Sequence, residues 1–309
     1  MSEVRRKFDC FGGTVSVAVL GPSSMRPEEA AAAAEASLLA AHARLSRFIL
    51  DSDLNRLNRD PRPSVPANPL LLQLASAVRE AGELSGGLVD ATLLHEIESA
   101  GYRSSMRGRP SGDPSPIQAT SGPAGPSPGR AWAGISVNWQ EGEVERPPGV
   151  EIDSGGVAKG MLADEVAASL KEFPAYVVDC CGDARIGGRA RRPREVRVED
   201  PFGGKPIHSL WVSGGGIATS GVTRRSWQDE DGSPLHHLLD PATGAPAFTG
   251  VIQATALAPN AFLADVHAKW ALLSGPELGL SRLPYGGVLV LADGSVETVA
   301  VRDPIESAA

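Results

Sequence analysis

The chain has 309 residues, which at about 100–200 residues per domain means one large domain or two ordinary ones. Hydrophobic residues make up 42% of it, enough to build a substantial core, so global disorder is excluded. Lysine and arginine number 29 against 37 aspartates and glutamates, a net charge of −8 with no basic block, and no nucleic-acid partner is expected.

The opening MSEVRRKFDCFGG carries charge but no apolar stretch, so it is not read as a signal peptide. No apolar run approaches the roughly 18–20 residues needed to span a bilayer. A cytoplasmic protein without membrane insertion is the expectation. Val15 to Leu20 alternate as a strand leaving the pair Gly12–Gly13. A helix follows, with Pro27 in its first turn, Glu28 and Glu29 placed for the helix dipole, and Leu38, Leu39, His42 and Leu45 at helical spacing. The spacing predicts a second helix over Pro69 to Leu84, stopped by Gly86 and Gly87. Residues 104–130 break the pattern, since 17 of these 27 are serine, glycine or proline. Such a stretch offers little to pack, and a loose surface insert within one domain covering 1–309 is expected.

Beyond it, Ala175–Val178, Glu195–Val198, Leu210–Val212, Val251–Ala256 and Gly287–Leu291 read as strands, and helices are predicted at about 159–171 and 260–274. Asn260 suits the start of the last helix and Gly275–Pro276 its end. The mixed order predicts an α+β domain rather than a regular βαβ series. Three cysteines, two of them adjacent at Cys180 and Cys181, match neither a disulfide framework nor a zinc pattern and read as buried thiols.

Four clusters carry chemistry. Asp153-Ser154-Gly155-Gly156-Val157-Ala158-Lys159-Gly160 precedes a helix. Glycines there let backbone N–H groups approach an anion, and Lys159 adds a cation, although a tight structural turn has the same composition. Thr219-Ser220-Gly221 is followed by Arg224 and Arg225. His237 and Asp240, three apart in His236-His237-Leu238-Leu239-Asp240-Pro241, suit a base and its orienting partner. Asp240 equally suits the cap of the turn D-P-x-T-G. Asp265 and Lys269 stand i,i+4 on the last helix. They read as a surface ion pair worth about 0.3–0.5 kcal/mol, or as a carboxylate turned inward at a metal with a lysine one turn away.

Taken in order, these clusters resemble the ApbE-type flavin transferases, the FAD:protein FMN transferase family. The likeness runs from about residue 8 to 300. It includes Leu45-Ser46-Arg47-Phe48 through Ser52-Asp53-Leu54-Asn55-Arg56-Leu57-Asn58, Gly86-Gly87-Leu88-Val89-Asp90-Ala91-Thr92, the D-x-G-G-x-A-K-G motif at Asp153, and Cys181-Gly182-Asp183 for G-G-D. Thr219–Gly221 stands for T-S-G, and H-x-x-D-P-x-T-G is complete from His237 to Gly244.

The resemblance implies an ApbE-like α+β fold of mixed or antiparallel sheets with packed helices and a ligand site between two halves. It implies metal-assisted transfer of FMN from FAD to a threonine or serine hydroxyl of an acceptor flavoprotein, releasing AMP. Metal-dependent hydrolysis of FAD to FMN and AMP and weakly catalytic FAD binding are the alternatives. The implied catalytic set is His237, Asp240 and Lys159. The implied flavin-site positions are Ser52, Asp90, Thr92, Asp153, Gly155, Gly156, Lys159, Asp183, Thr219 and Ser220. Magnesium would be held by Asp265 and the Ala158 carbonyl. In the family a threonine or serine follows the aspartate by four residues, and here that position is Lys269, whose ammonium cannot ligate a cation.

Overall fold

The structure, a computed structural model, describes residues 3–105 and 121–302. Its first half runs β1 (Glu3–Cys10), β2 (Gly13–Leu20), α1 (Pro27–Leu45), α2 (Asp53–Arg59), β3 (Ser64–Pro66), α3 (Pro69–Leu84), α4 (Leu94–Ser99), β4 (Ser136–Asn138) and β5 (Glu143–Glu145). The second half begins with α5 (Ala158–Ala168), β6 (Ala175–Cys180), β7 (Asp183–Gly187), β8 (Arg194–Val198) and β9 (His208–Val212). Then come β10 (Gly215–Gly221), β11 (Ser226–Gln228), β12 (Pro234–His236), β13 (Val251–Ala258), α6 (Ala261–Leu273), α7 (Gly275–Gly279), β14 (Gly287–Leu291) and β15 (Val296–Val299).

One eight-stranded sheet organises the molecule, in the order β1-β2-β6-β7-β10-β13-β14-β15. Every neighbouring pair in it is antiparallel. β13 is buried at all eight positions because both of its faces are covered. Ala254, Ala256 and Ala258 pack with Ala264, Ala268 and Leu272 of α6, while Leu257 joins Val198, Leu210 and Val212 of the β8–β9 ribbon. A separate cluster holds α1, α3 and α5 against β2 and β6 through Leu38, Val78, Leu162 and Val178. Among the described residues no helix is long and apolar enough to cross a membrane.

The α+β architecture expected from the pattern is the one observed, with the predicted strands each lengthened by a few residues at most. β1 is not among the predicted strands, because Arg6 interrupts the apolar face that Val4, Phe8 and Cys10 mark in EVRRKFDC. It lies at the sheet edge, where Arg5 and Lys7 stay in water, and charge on an edge strand discourages pairing with another chain. Leu39 falls off the buried stripe of α1, which runs through Ala31, Ala34, Leu38, Ala41 and Leu45, and is exposed.

The expected loose insert divides in two. Residues 106–120 lie outside the described residues. Residues 121–130 differ from the expectation, being tied to the fold largely by backbone. Ser121 N donates to Phe248 O (2.7 Å), Ala124 N to Leu273 O (2.9 Å) and Gly125 N to Asp240 Oδ1 (2.9 Å), while Ser127 Oγ donates to Asp90 Oδ2 (2.8 Å). Bonds made by main-chain groups leave no mark on composition.

Candidate functional site

The glycine turn and α5 sit where the two halves meet. Asp153 N donates to Ala91 O (2.8 Å), which ties the turn to the Asp90–Thr92 segment, and the Asp153 carboxylate accepts from Gly155 N (3.0 Å). Ser154 Oγ donates to Leu45 O (2.7 Å). α5 then begins with no side-chain cap at its start. Gly160 is required by a close approach, since a Cβ there would lie 2.7 Å from Ala261 O at the start of α6. That crossing sets the first turns of α5 and α6 side by side.

Two cavities with shared walls open beside this crossing. A wide chamber of about 470 Å³ has Phe11, His42, Phe48 and Ala158 in its walls together with Lys159, a size within the roughly 300–1,000 Å³ of small-molecule sites. A narrow cleft of about 80 Å³ is lined by Asp90, Gly156, His237 and Lys269. Tyr102, Asp153, Gly155 and Arg225 line both. Arg47 forms part of the chamber floor. Its guanidinium lies 4.2 Å from the Phe48 ring centre and 4.7 Å from that of Tyr102, donates to Tyr102 O (2.7 Å), and stands 3.4 Å from Asp153 Oδ1.

Behind the walls lie two buried ion pairs. Lys159 binds Asp183, and Lys269 binds Asp265 one turn earlier on α6. Both aspartates are 1% exposed. Asp183 stands just past the tight β6–β7 turn of Cys181 and Gly182, both at positive φ, the type I′ pattern that matches the strand twist of a two-residue hairpin. Burial, then the neighbouring Asp265 charge, push the Asp183 carboxyl up to about 6 against the pull of the two lysines. Among the described residues its Oδ1 has no hydrogen-bond partner. Burial also works against the Lys159 ammonium, but Asp183 and Asp265 outweigh it and raise its pKa. Burial, followed by Arg225, His236 and Lys269, holds His237 well below the usual imidazole range. Such a shift favours the neutral ring, and among the described residues its Nδ1 has no hydrogen-bond partner.

The structure gathers Asp90, Asp153, Gly155, Gly156, Ala158, Lys159, His237 and Lys269 on the cavity walls, with Asp183 and Asp265 directly behind the lysines. The ion pair on α6 is buried rather than a surface pair. Other positions go elsewhere. Ser52 is the cap of α2, accepting from Asn55 N (3.1 Å), and lines neither cavity. Thr92 is folded back on Asp90, donating from its Oγ1 to Asp90 Oδ1 (2.5 Å). Thr219 and Ser220 lie within β10, where Thr219 Oγ1 meets Thr255 Oγ1 (2.8 Å) and Ser220 is buried.

Asp240 does not orient His237. Its Oδ1 accepts from Ala242 N (3.0 Å) and Gly125 N (2.9 Å), so the turn-capping alternative is the one observed. Sequence reasoning missed Tyr102 and gave Arg47 no role. Arg47 lay inside the L-S-R-F segment, whereas Tyr102 had no local signal.

A model described as the ApbE family matches residues 11–288. The FAD:protein FMN transferase of Haemophilus influenzae is 27% identical over 262 residues, covering 80% of this chain and 72% of that protein. The one from Vibrio cholerae is 27% identical over 77% of this chain and 71% of its own length. Among solved structures, the ApbE protein of Thermotoga maritima superposes with a TM-score of 0.80 at 24% identity, covering 99% of both chains. The flavinyl transferase ApbE of Pseudomonas stutzeri, in its apo form, gives 0.75 at 21% identity, covering 97% of this chain and 95% of that one.

Proposed function

The chain belongs to the ApbE family, and from that premise we propose that it is an FAD:protein FMN transferase acting on a threonine or serine of an acceptor flavoprotein. The observation that carries the reading is a pair of cavities with shared walls, a wide aromatic-walled chamber that takes in the uncapped start of α5 and a narrow cleft lined by Arg225, His237 and Lys269. A flavin ring suits the chamber, where Phe11, Phe48 and Tyr102 offer apolar surface. A diphosphate suits the shared wall, where Arg225 borders both cavities and Lys159 and the uncapped start of α5 line the chamber beside it.

In the step proposed, the acceptor hydroxyl oxygen forms a bond to the flavin-side phosphorus of FAD. The bond from that phosphorus to the bridging oxygen breaks, and AMP leaves with that oxygen. The hydroxyl proton passes to His237, whose neutral ring has a free lone pair. An anionic diphosphate beside it offsets the cations that depress its pKa, so substrate binding makes it a stronger base. Asp153 and Gly155 are positioned to shape the turn around the phosphates. Asp183 serves by holding Lys159, and Asp90 borders the cleft.

The resemblance also implies magnesium at Asp265 and the Ala158 carbonyl. The residues present do not fit such an ion as they stand. The Asp265 carboxylate is bound by the Lys269 ammonium and the neighbouring Asp183 by Lys159, so a divalent ion would meet two resident cations.

The test is incubation with FAD and a candidate acceptor carrying a flavinylation segment. Release of AMP matched by an acceptor mass gain of one FMN is the expected result. AMP released without acceptor would replace transfer with hydrolysis, and intact FAD retained throughout would replace it with carriage.

A further inference from the structure

Charge in the cleft is arranged around one residue that the motif comparison makes anomalous. Lys269 projects from α6 into the narrow cleft beside His237 and Gly156, while its ammonium is anchored on Asp265. Its residue is 8% exposed, so the charge is largely stripped of water and held at a fixed place. It faces Asp183 and His237 closely enough to influence both. A buried carboxylate such as Asp265 needs a compensating cation. Here that cation is supplied by the chain itself, on the same helix, with nothing to bind or lose.

We propose that Lys269 is the resident cation of the phosphate site, anchored by Asp265 and taking up the diphosphate charge that a divalent ion would otherwise take. The inference rests on the transferase reading only for the identity of the anion. With one N–H held by Asp265, the Lys269 ammonium has two donors left for phosphate oxygens, and it offers them without the dehydration that a magnesium ion resists. Lys159 stands on the other side of the shared wall with Asp183 behind it. The diphosphate would thus lie between two lysines, each buttressed by its own buried aspartate. Arg225 borders both cavities from a third direction.

Two binding measurements test this without recourse to activity. Mn2+ binding to the ligand-free protein is followed by electron paramagnetic resonance, and ADP binding is followed by calorimetry in EDTA. The wild-type protein is expected to bind ADP in EDTA and to leave Mn2+ free in solution. Lys269→Met keeps the aliphatic stem, removes the charge and exposes Asp265 as an uncompensated carboxylate. It should lose about 10- to 100-fold in ADP affinity in EDTA, the loss of one charge-assisted hydrogen bond, and should gain Mn2+ binding. Lys269→Arg should retain ADP binding in EDTA.

Stoichiometric Mn2+ binding by the wild type, or ADP binding that vanishes in EDTA, would overturn the proposal whether or not any variant folds. Unchanged ADP affinity in Lys269→Met would overturn it equally. Failure of FMN transfer to an acceptor would remove the transferase reading while leaving both binding results to stand on their own.

Discussion

The first turns of α5 and α6 touch each other and are finished in opposite ways. At α6, Asn260 accepts from Leu263 N (2.8 Å), and Asp164, reaching across from α5, accepts from Ala261 N and Phe262 N (2.9 Å each). Three of its free N–H groups are thus satisfied by side chains, and its positive end faces a carboxylate. At α5 no side chain caps the start, and the carboxylate that precedes it, Asp153, is taken up by Gly155 N and faces Arg47. A helix start sealed in the core must have its donors satisfied by the protein. One left open on a cavity wall, with Lys159 as its second residue, keeps its donors and its dipole for an anion. The same few residues of backbone are structural on one side of the crossing and available to a ligand on the other.

The largest effect should come from the open side. Lys159→Met is expected to lower FMN transfer by about 100- to 1,000-fold, the usual loss when one donor to developing charge is removed. Its melting temperature should also fall, because Asp183 is left buried without its partner. Rates measured at saturating FAD, well below the melting temperature, separate the two effects. A loss smaller than tenfold would mean that the open helix start is not where the phosphates sit.

Gly160→Ala strikes the crossing itself. The added methyl meets backbone at 2.7 Å, and overpacking of this kind costs about 1–3 kcal/mol, read from the shift in urea midpoint. A neutral result would show that α5 can move away from α6 and that the two starts are not held in register.

The smallest effect belongs to the sealed side. Asp164→Ala removes two capping bonds and should cost about 1 kcal/mol of stability, with FAD affinity by calorimetry unchanged. A clear loss of FAD affinity would blur the distinction between the two helix starts.

Much of the fold could be read locally. Strand β14 was expected at Gly287–Leu291 from an apolar run between glycine and turn residues, and α3 at Pro69–Leu84 from its buried stripe. Both signals depend only on neighbours in sequence. The cap at Asn260 was legible for the same reason. A local signal is also present at Ser52, where a small hydroxyl residue opens α2 and its Oγ accepts from Asn55 N, whereas its place in the flavin site rests on motif position alone. Asp240 taught the same lesson. Spacing from His237 suggested a catalytic pair, but the turn D-P-x-T-G uses that carboxylate for its own amides and for Gly125.

What the sequence determined by itself was the α+β class, most strand and helix positions, and the ordered motifs that mark the family. These follow from periodicity, capping and short-range spacing. Tertiary structure decided which of the motif residues share a wall. It brought Tyr102 to the chamber, set Asp183 behind Lys159 across 24 positions of chain, and buried the Asp265–Lys269 pair that spacing alone could have left on the surface. Those outcomes depend on the close crossing at Gly160 and on the sheet order that brings β7 beneath α5. Contacts of that range are fixed by packing and desolvation between elements, which no local stretch of sequence encodes.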